Sequence, residues 1–275
     1  MIVLGGSSRQ SLAALRVALD NTLKGVSADD ASAISSGLFK ALVAIDSSTG
    51  LRRALTDSAR DASSKSDLVS DLFKKSLTGP VLALLANATS LRWSSPSGIA
   101  DAIEQIAVEA EATAANLGNS LDQVQSEIFT FSKLLIENPD LRTALSERAQ
   151  SPESKQALLK SIFGSKFSAS TNSLLSHSVE SRRARSIEKT IAAYSHAVTA
   201  RRNRVNAHIK SSIALSDGQA KKLADSLTKQ IGQPVHLNIE IDPSILGGIS
   251  IRFGDEVIDG TISNRLAEAS RALVS

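Results

Sequence analysis

Residues able to do chemistry are present in this chain, but their spacing assembles no reactive centre. The four histidines (His177, His196, His208 and His236) are scattered, and none has the i, i+4 partner that sets two imidazoles on one helix face for a metal. The chain has no cysteine, which excludes a thiolate nucleophile, a Cys-zinc site and a disulfide framework. Gly164-Ser165-Lys166 lacks the upstream glycine and the following hydroxyl residue of a phosphate-binding loop. Gly247-Gly248 with Gly254 is glycine-rich, yet it lies between strand-like segments and opens no helix, which is the wrong setting for a dinucleotide. No G-x-S-x-G pattern occurs, so the abundant serine is composition and not an activated nucleophile. The carboxylates read as solvated helix-face groups, with Asp242, Asp255 and Asp259 beside glycines as turn formers. The expectation is a chain with no catalytic residues, cofactor or metal.

Two basic clusters, Arg182-Arg183-x-Arg185 and Arg201-Arg202-x-Arg204, have the residue types for phosphate contacts. Against nucleic acid stand a net charge of only +3, interleaved acidic residues, and an aromatic content of 3% that gives no surface for stacking bases. Arg201, Arg202 and Arg204 are expected on the exposed end of a long helix, beside its negative dipole end. A protein partner is the next reading.

These residues have to be positioned by a mostly helical chain. With 275 residues, 42% of them hydrophobic, there is enough material for one large or two ordinary domains. No segment approaches ~18 apolar residues, and Ile2-Val3-Leu4 is too short for a signal sequence, so a soluble protein is expected. Leu12, Leu15, Leu19 and Leu23 make one apolar stripe. Ser27 caps a second helix carrying Ile34, Leu38, Leu42 and Ile45. Short helices follow around 51–59, around Leu68 to Phe73, and after Gly79-Pro80, before a long helix from about Ile99 to Ala115.

The succession then repeats at an offset of 90 residues. Leu51-Arg52-x-Ala54-Leu55 aligns with Leu141-Arg142-x-Ala144-Leu145, and Ser64-Lys65-x-x-Leu68 with Ser154-Lys155-x-x-Leu158. Phe39 pairs with Phe129, Leu84-Leu85 with Leu174-Leu175 and Arg92 with Arg182. A constant offset shared by polar and apolar positions predicts an internal duplication. From about Arg204 the pattern changes to strands over 205–211, 235–241 and 249–253. One helix, opened by a Ser216/Gln219 capping box, lies between the first two, and another, carrying Ile262, Leu266, Ala269 and Leu273, closes the chain. The predicted fold class is α+β, mostly α: an apparently duplicated N-terminal helical bundle, residues 1–100 and 101–203, then a small α+β domain, residues 204–275.

The tail carries a specific signature. Asp242-Pro243-x-Ile245-Leu246-Gly247-Gly248, a strand, Gly254-Asp255-x-Val257-Ile258-Asp259-Gly260-Thr261-Ile262, and Arg265-Leu266 closely resemble the delta subunit of F-type ATP synthase, whose mitochondrial counterpart is the oligomycin sensitivity-conferring protein. Thr261 stands where that family usually has Ser. Asn138-Pro139-Asp140-Leu141-Arg142 and Ser154-Lys155-x-x-Leu158-Leu159 are similar to its helical domain. The resemblance spans about Ile103 to the end and leaves the earlier residues as an extra, diverged bundle copy, as in some high-GC Gram-positive members.

The resemblance implies a non-catalytic stator subunit that joins the alpha/beta head to the b-subunit peripheral stalk against rotor torque. Its place is the cytoplasmic face of the cell membrane, where it is peripheral and held only through the complex. The implied partners are the N-terminal helix of an alpha subunit, the b stalk and the catalytic head, with no nucleic acid. By family position the alpha helix groove falls on Leu12, Leu15, Val81, Leu84 and Leu85 of the first copy and on Leu174 and Leu175 of the second. Ile249, Ile251 and Phe253 are the candidate b-stalk contacts. Asp242, Pro243, Gly247, Gly248, Gly254, Asp255, Asp259, Gly260, Arg265 and Leu266 are implied to specify the fold. The alternative reading is a helical protein or nucleic-acid adaptor unrelated to the synthase.

Overall fold

In a computed structural model of the chain, the structure describes residues 5–147, 149–180, 185–231, 235–245, 247–253, 256–262 and 264. They form two compact units, residues 1–199 and 200–275. The first unit is helical: α1 (Gly6–Thr22), α2 (Ala28–Ser47), α3 (Thr49–Thr56), α4 (Ala62–Phe73), α5 (Gly79–Ser90), α6 (Pro96–Leu117), α7 (Leu121–Glu137), α8 (Pro139–Ser146), α9 (Pro152–Phe163), α10 (Ala169–Glu180) and α11 (Ile187–Val205), whose last turn enters the second unit. The starts follow from local chemistry. Ser27 Oγ accepts from Asp30 N at 3.1 Å and caps α2, while Pro80, Pro96, Pro139 and Pro152 occupy first-turn positions that need no N–H.

The offset of 90 recurs in the elements themselves. Both ends of α3, α4 and α5 fall 90 residues before those of α8, α9 and α10, and α1 starts 90 residues before α6. One core of buried residues runs through both copies without a break at residue 100, and α6 is the reason. It is the sixth helix of the first copy, packed on α1, α2, α3 and α5. It is also the first helix of the second copy, packed on α7 and α10. From Gly98 to Ala115 only Asp101 and Gln105 keep partial exposure. A helix buried on every side needs small or apolar residues all round, and seven alanines between Ala100 and Ala115 supply them.

The second unit contains β1 (Asn206–Ser211), α12 (Asp217–Ile231), β2 (His236–Ile241), β3 (Ile249–Phe253) and β4 (Glu256–Asp259). The sheet order is β2-β1-β3-β4, with β1 and β2 parallel across the α12 crossover and the other pairs antiparallel. In the expected capping box, Ser216 N donates to Gln219 Oε1 at 2.9 Å, and Gln219 N returns to Ser216 Oγ. Ala207, Ile209, Leu227, Val235 and Ile251 form its small core. The expected closing helix, with Leu266, Ala269 and Leu273, lies outside the described residues beyond its first turn.

Candidate functional site

The apolar stripes that periodicity singles out are the ones the bundle buries for itself. Leu12, Leu15, Val81, Leu84, Leu85, Leu174 and Leu175 are all buried in the core. None of them lines an open groove; they form the layer beneath the surface of α1 and α5 and of α6 and α10. The surface over the first pair consists of Ala13, Ala14 and Val17 of α1 and Ala83 and Asn87 of α5, all exposed, with Leu82 and Ala86 half-buried.

The matching surface of the second copy is covered by α2. Ser35 Oγ donates to the Ala107 carbonyl at 2.9 Å, and Ser32 Oγ donates to Glu111 Oε2 at 3.0 Å. Phe39 stacks on His177 of α10 with ring centroids 4.1 Å apart, 13° from parallel, and approaches Tyr194 of α11 at 6.1 Å. His177 Nδ1 lies 2.7 Å from Glu180 Oε2, and Gln156 Nε2 donates to Glu180 Oε1 at 2.6 Å. The hydrogen bond from His177 outweighs burial and holds the Glu180 carboxyl below its ordinary range.

Three carboxylates of α6 depart from the expected solvated faces, since Glu104, Glu109 and Glu111 are buried. Glu109 pairs with Arg16 of α1 at 2.7 Å, Glu104 with Arg185, and Glu111 with Ser32. Such charges enter an interior only with partners, so they tie α6 to α1, α2 and the segment before α11. Arg201, expected on an exposed helix end, is buried as well; Arg182, Arg183 and the side chain of Arg204 lie outside the described residues. Sequence reasoning missed these groups because an isolated glutamate in a helix has the same spacing whether it meets water or an arginine. The one available signal was the alanine run around them.

The two copies close helix 2 on helix 5 by different chemistry. In the first, a Cβ on Gly37 would sit 2.8 Å from Val81 Cγ2, so glycine permits close approach of α2 and α5. At the matching position, Glu127 accepts from Ser168 N at 3.0 Å, from Ser168 Oγ at 2.7 Å and from Gln123 Nε2 at 2.8 Å, at the start of α10. Burial works against the ionised carboxyl, but hydrogen bonds from Thr171, Ser168 and Gln123 prevail and lower its pKa. The shared Ser-Lys motif also acquires a reason. Lys65 and Lys155 are both buried, and Lys65 Nζ donates to the Asp57 carbonyl just past the end of α3.

In the second unit the signature residues shape turns. Gly247 and Gly248 have φ of 142° and 86°, and a Cβ on Gly248 would run into the Gly260 carbonyl and Thr261 Cα. Asp242 Oδ1 accepts from Ser244 N, and Asp259 Oδ1 from Thr261 N, each at 3.0 Å. Pro243 is exposed just after β2. Thr261 Oγ1 accepts from Asn264 N at 3.3 Å, a capping role that serine fills equally well. Gly254, Asp255, Arg265 and Leu266 lie outside the described residues. Ile251 belongs to the small core and Ile249 packs against it, so neither offers the open strand face expected of a stalk contact; the side chain of Phe253 is outside the described set. The outward positions of β3 are Ser250 and Arg252, half-buried and exposed.

Among the described residues, no group of three acidic or histidine side chains is placed to hold a metal, and no helix is long and apolar enough to cross a membrane.

Comparison with known proteins places these features in context. A family model described as ATP synthase delta (OSCP) subunit matches residues 100–273, from within α6 almost to the end. The ATP synthase subunit delta of Streptomyces coelicolor is 37% identical over 270 residues, covering 98% of this chain and 98% of that protein. The subunit of the same name from Streptomyces griseus is 36% identical over 270 residues, with 98% and 99% covered. That of Thermobifida fusca is 36% identical over 268 residues, with 98% of each covered.

Proposed function

The chain belongs to the ATP synthase delta (OSCP) subunit family and is a non-catalytic component of the peripheral stalk, and we propose that it works there as a two-ended clamp. The helical unit takes the N-terminal helix of an alpha subunit on the catalytic head. The α+β unit grips the end of the b-subunit stalk, and the pair resists rotor torque at the cytoplasmic face of the cell membrane. The observation that carries this reading is the extent of the match, which covers the second helical copy and the α+β unit together. The architecture suits the task. A bundle with a continuous buried core yields little under load, and an Ala-rich helical surface accepts a further helix at close range.

We also infer that residues 1–100 are a diverged copy of the bundle at 101–203, supported by the constant offset of residues and of helix ends. The leucines assigned to the groove then act as its floor, through the side chains packed above them. In the α+β unit, the b contact is assigned to the sheet, with Ile249, Ile251 and Phe253 as its framework.

Reconstitution tests the proposal. Membranes stripped of this chain are expected to lose ATP-driven proton pumping and regain it when the chain is added back. Equal pumping with and without it would refute the stator role.

A further inference from the structure

The two copies present the same helix-accepting face in opposite states, and we propose that the second is permanently filled by the chain's own α2, so that the partner helix enters on the first. The inference rests on the stator reading and names which copy meets the alpha subunit.

The offset of 90 relates the two faces position by position. On the second copy the covered face contains Ala107 and Glu111 of α6 and His177 of α10, met by Ser35, Ser32 and Phe39 of α2. The matching positions on the first copy are Val17 and Asn21 of α1 and Asn87 of α5, and all three are exposed, Val17 at 50%. Ala83, matching half-buried Ser173, is exposed beside them. The same surface is thus dry in one copy and wet in the other, and no other helix of the described first copy covers it.

The occupied face also specifies what the empty one takes. Its occupant, α2, is an amphipathic helix of 20 residues that offers small side chains to α6 and one aromatic ring to α10. It lies close enough for a serine hydroxyl to reach a backbone carbonyl. The occupant of the first face is therefore an external helix with small residues over Val17 and a larger apolar one towards Asn87, which we assign to the N-terminal helix of the alpha subunit. Further support comes from the donor side of the repeat. Phe129 occupies the place in α7 that Phe39 occupies in α2, yet it is 60% exposed, because no third copy follows for it to enter.

Full-length chain titrated with a fluorescent peptide copying the N-terminal segment of the alpha subunit provides the test. One peptide is expected per chain. V17E and A83E, which place a charge where the contact must be dry, are expected to weaken binding about tenfold or more with unchanged thermal melts. S173E, the same change on the filled face, is expected to leave affinity unaltered. A photo-crosslinker in the peptide is expected to label the segments around Val17 and Ala83. Two peptides per chain would overturn the inference, as would affinity lost to S173E but not to V17E or A83E; either result leaves the stator role standing. Absence of binding to the unaltered chain would overturn the alpha helix contact and this inference together. Failure of reconstituted pumping is the separate result that sinks the stator role.

Discussion

Phe39 and Phe129 stand 90 residues apart at matching points of the proposed repeat, and replacing each by alanine isolates what the seating of α2 on α10 contributes. Phe39 is 2% exposed and stacks on His177, with Tyr194 on its flank. Truncating a buried phenylalanine costs about 3–5 kcal/mol, because transfer energy and the cavity left behind add. In a cooperative unit of this size each kcal/mol shifts the melting temperature by about 2–4 °C, so F39A is expected to melt about 6–20 °C lower. Phe129 has most of its ring in water, with the Lys133 ammonium 5.2 Å from its centroid. An exposed contact of that kind contributes about 0.5–1 kcal/mol, so F129A is expected to melt less than about 4 °C lower. Circular dichroism of both variants at one pH and protein concentration provides the comparison. Equal shifts, or a larger shift for F129A, would refute the claim that α2 is seated on the second copy.

Other expectations follow from the polar ties and the turns. The lowered pKa of Glu127 means that its stabilising contribution is complete above the ordinary glutamate value near 4.3 and is lost as pH falls through the lower folded value. E127Q is therefore expected to lower stability at pH 7 by about 1–2 kcal/mol and to flatten the acid limb of a denaturation series; an unchanged acid limb would remove Glu127 from it. G248A forces a Cβ into the Gly260 backbone at a φ of 86°. It is expected to cost about 2–4 kcal/mol in the second unit alone. Hydrogen exchange should then rise in β1 to β4 and stay constant in α1 to α10.

The part of this fold legible in the sequence is the part governed by local periodicity. Ser27 and Ser216 with Gln219 mark helix starts through bonds that reach three residues, and Pro80 through a first-turn position that needs no N–H, and the structure uses them so. The strand over 249–253 has those bounds in the sheet, because apolar alternation and flanking glycines suffice to set it. The offset of 90 in the helix ends is legible beforehand because Phe39, Lys65 and Leu84 recur with their partners at that spacing. The residues assigned to the groove lie in the buried layer, since leucine periodicity reports the inward face of a helix and a docking surface needs the outward one. The three carboxylates of α6 were read as solvated because their partners, Arg16, Ser32 and Arg185, lie from 79 to 93 positions away along the chain. Long-range pairing of that kind leaves no mark in local spacing.

The double membership of α6 has a mechanical consequence. Two bundles placed side by side would meet across a seam, where a sideways load could shear one past the other at the cost of a few side-chain contacts. Here the bundles have a helix in common, and α2 and α10 both pack on that one continuous helix as well as on each other. Moving one bundle past the other would break the packing of the same helix on both of its sides. Its buried glutamates act as dowels against rotation about its axis. A part that must stay still while a motor turns beneath it gains from having no joint to wear.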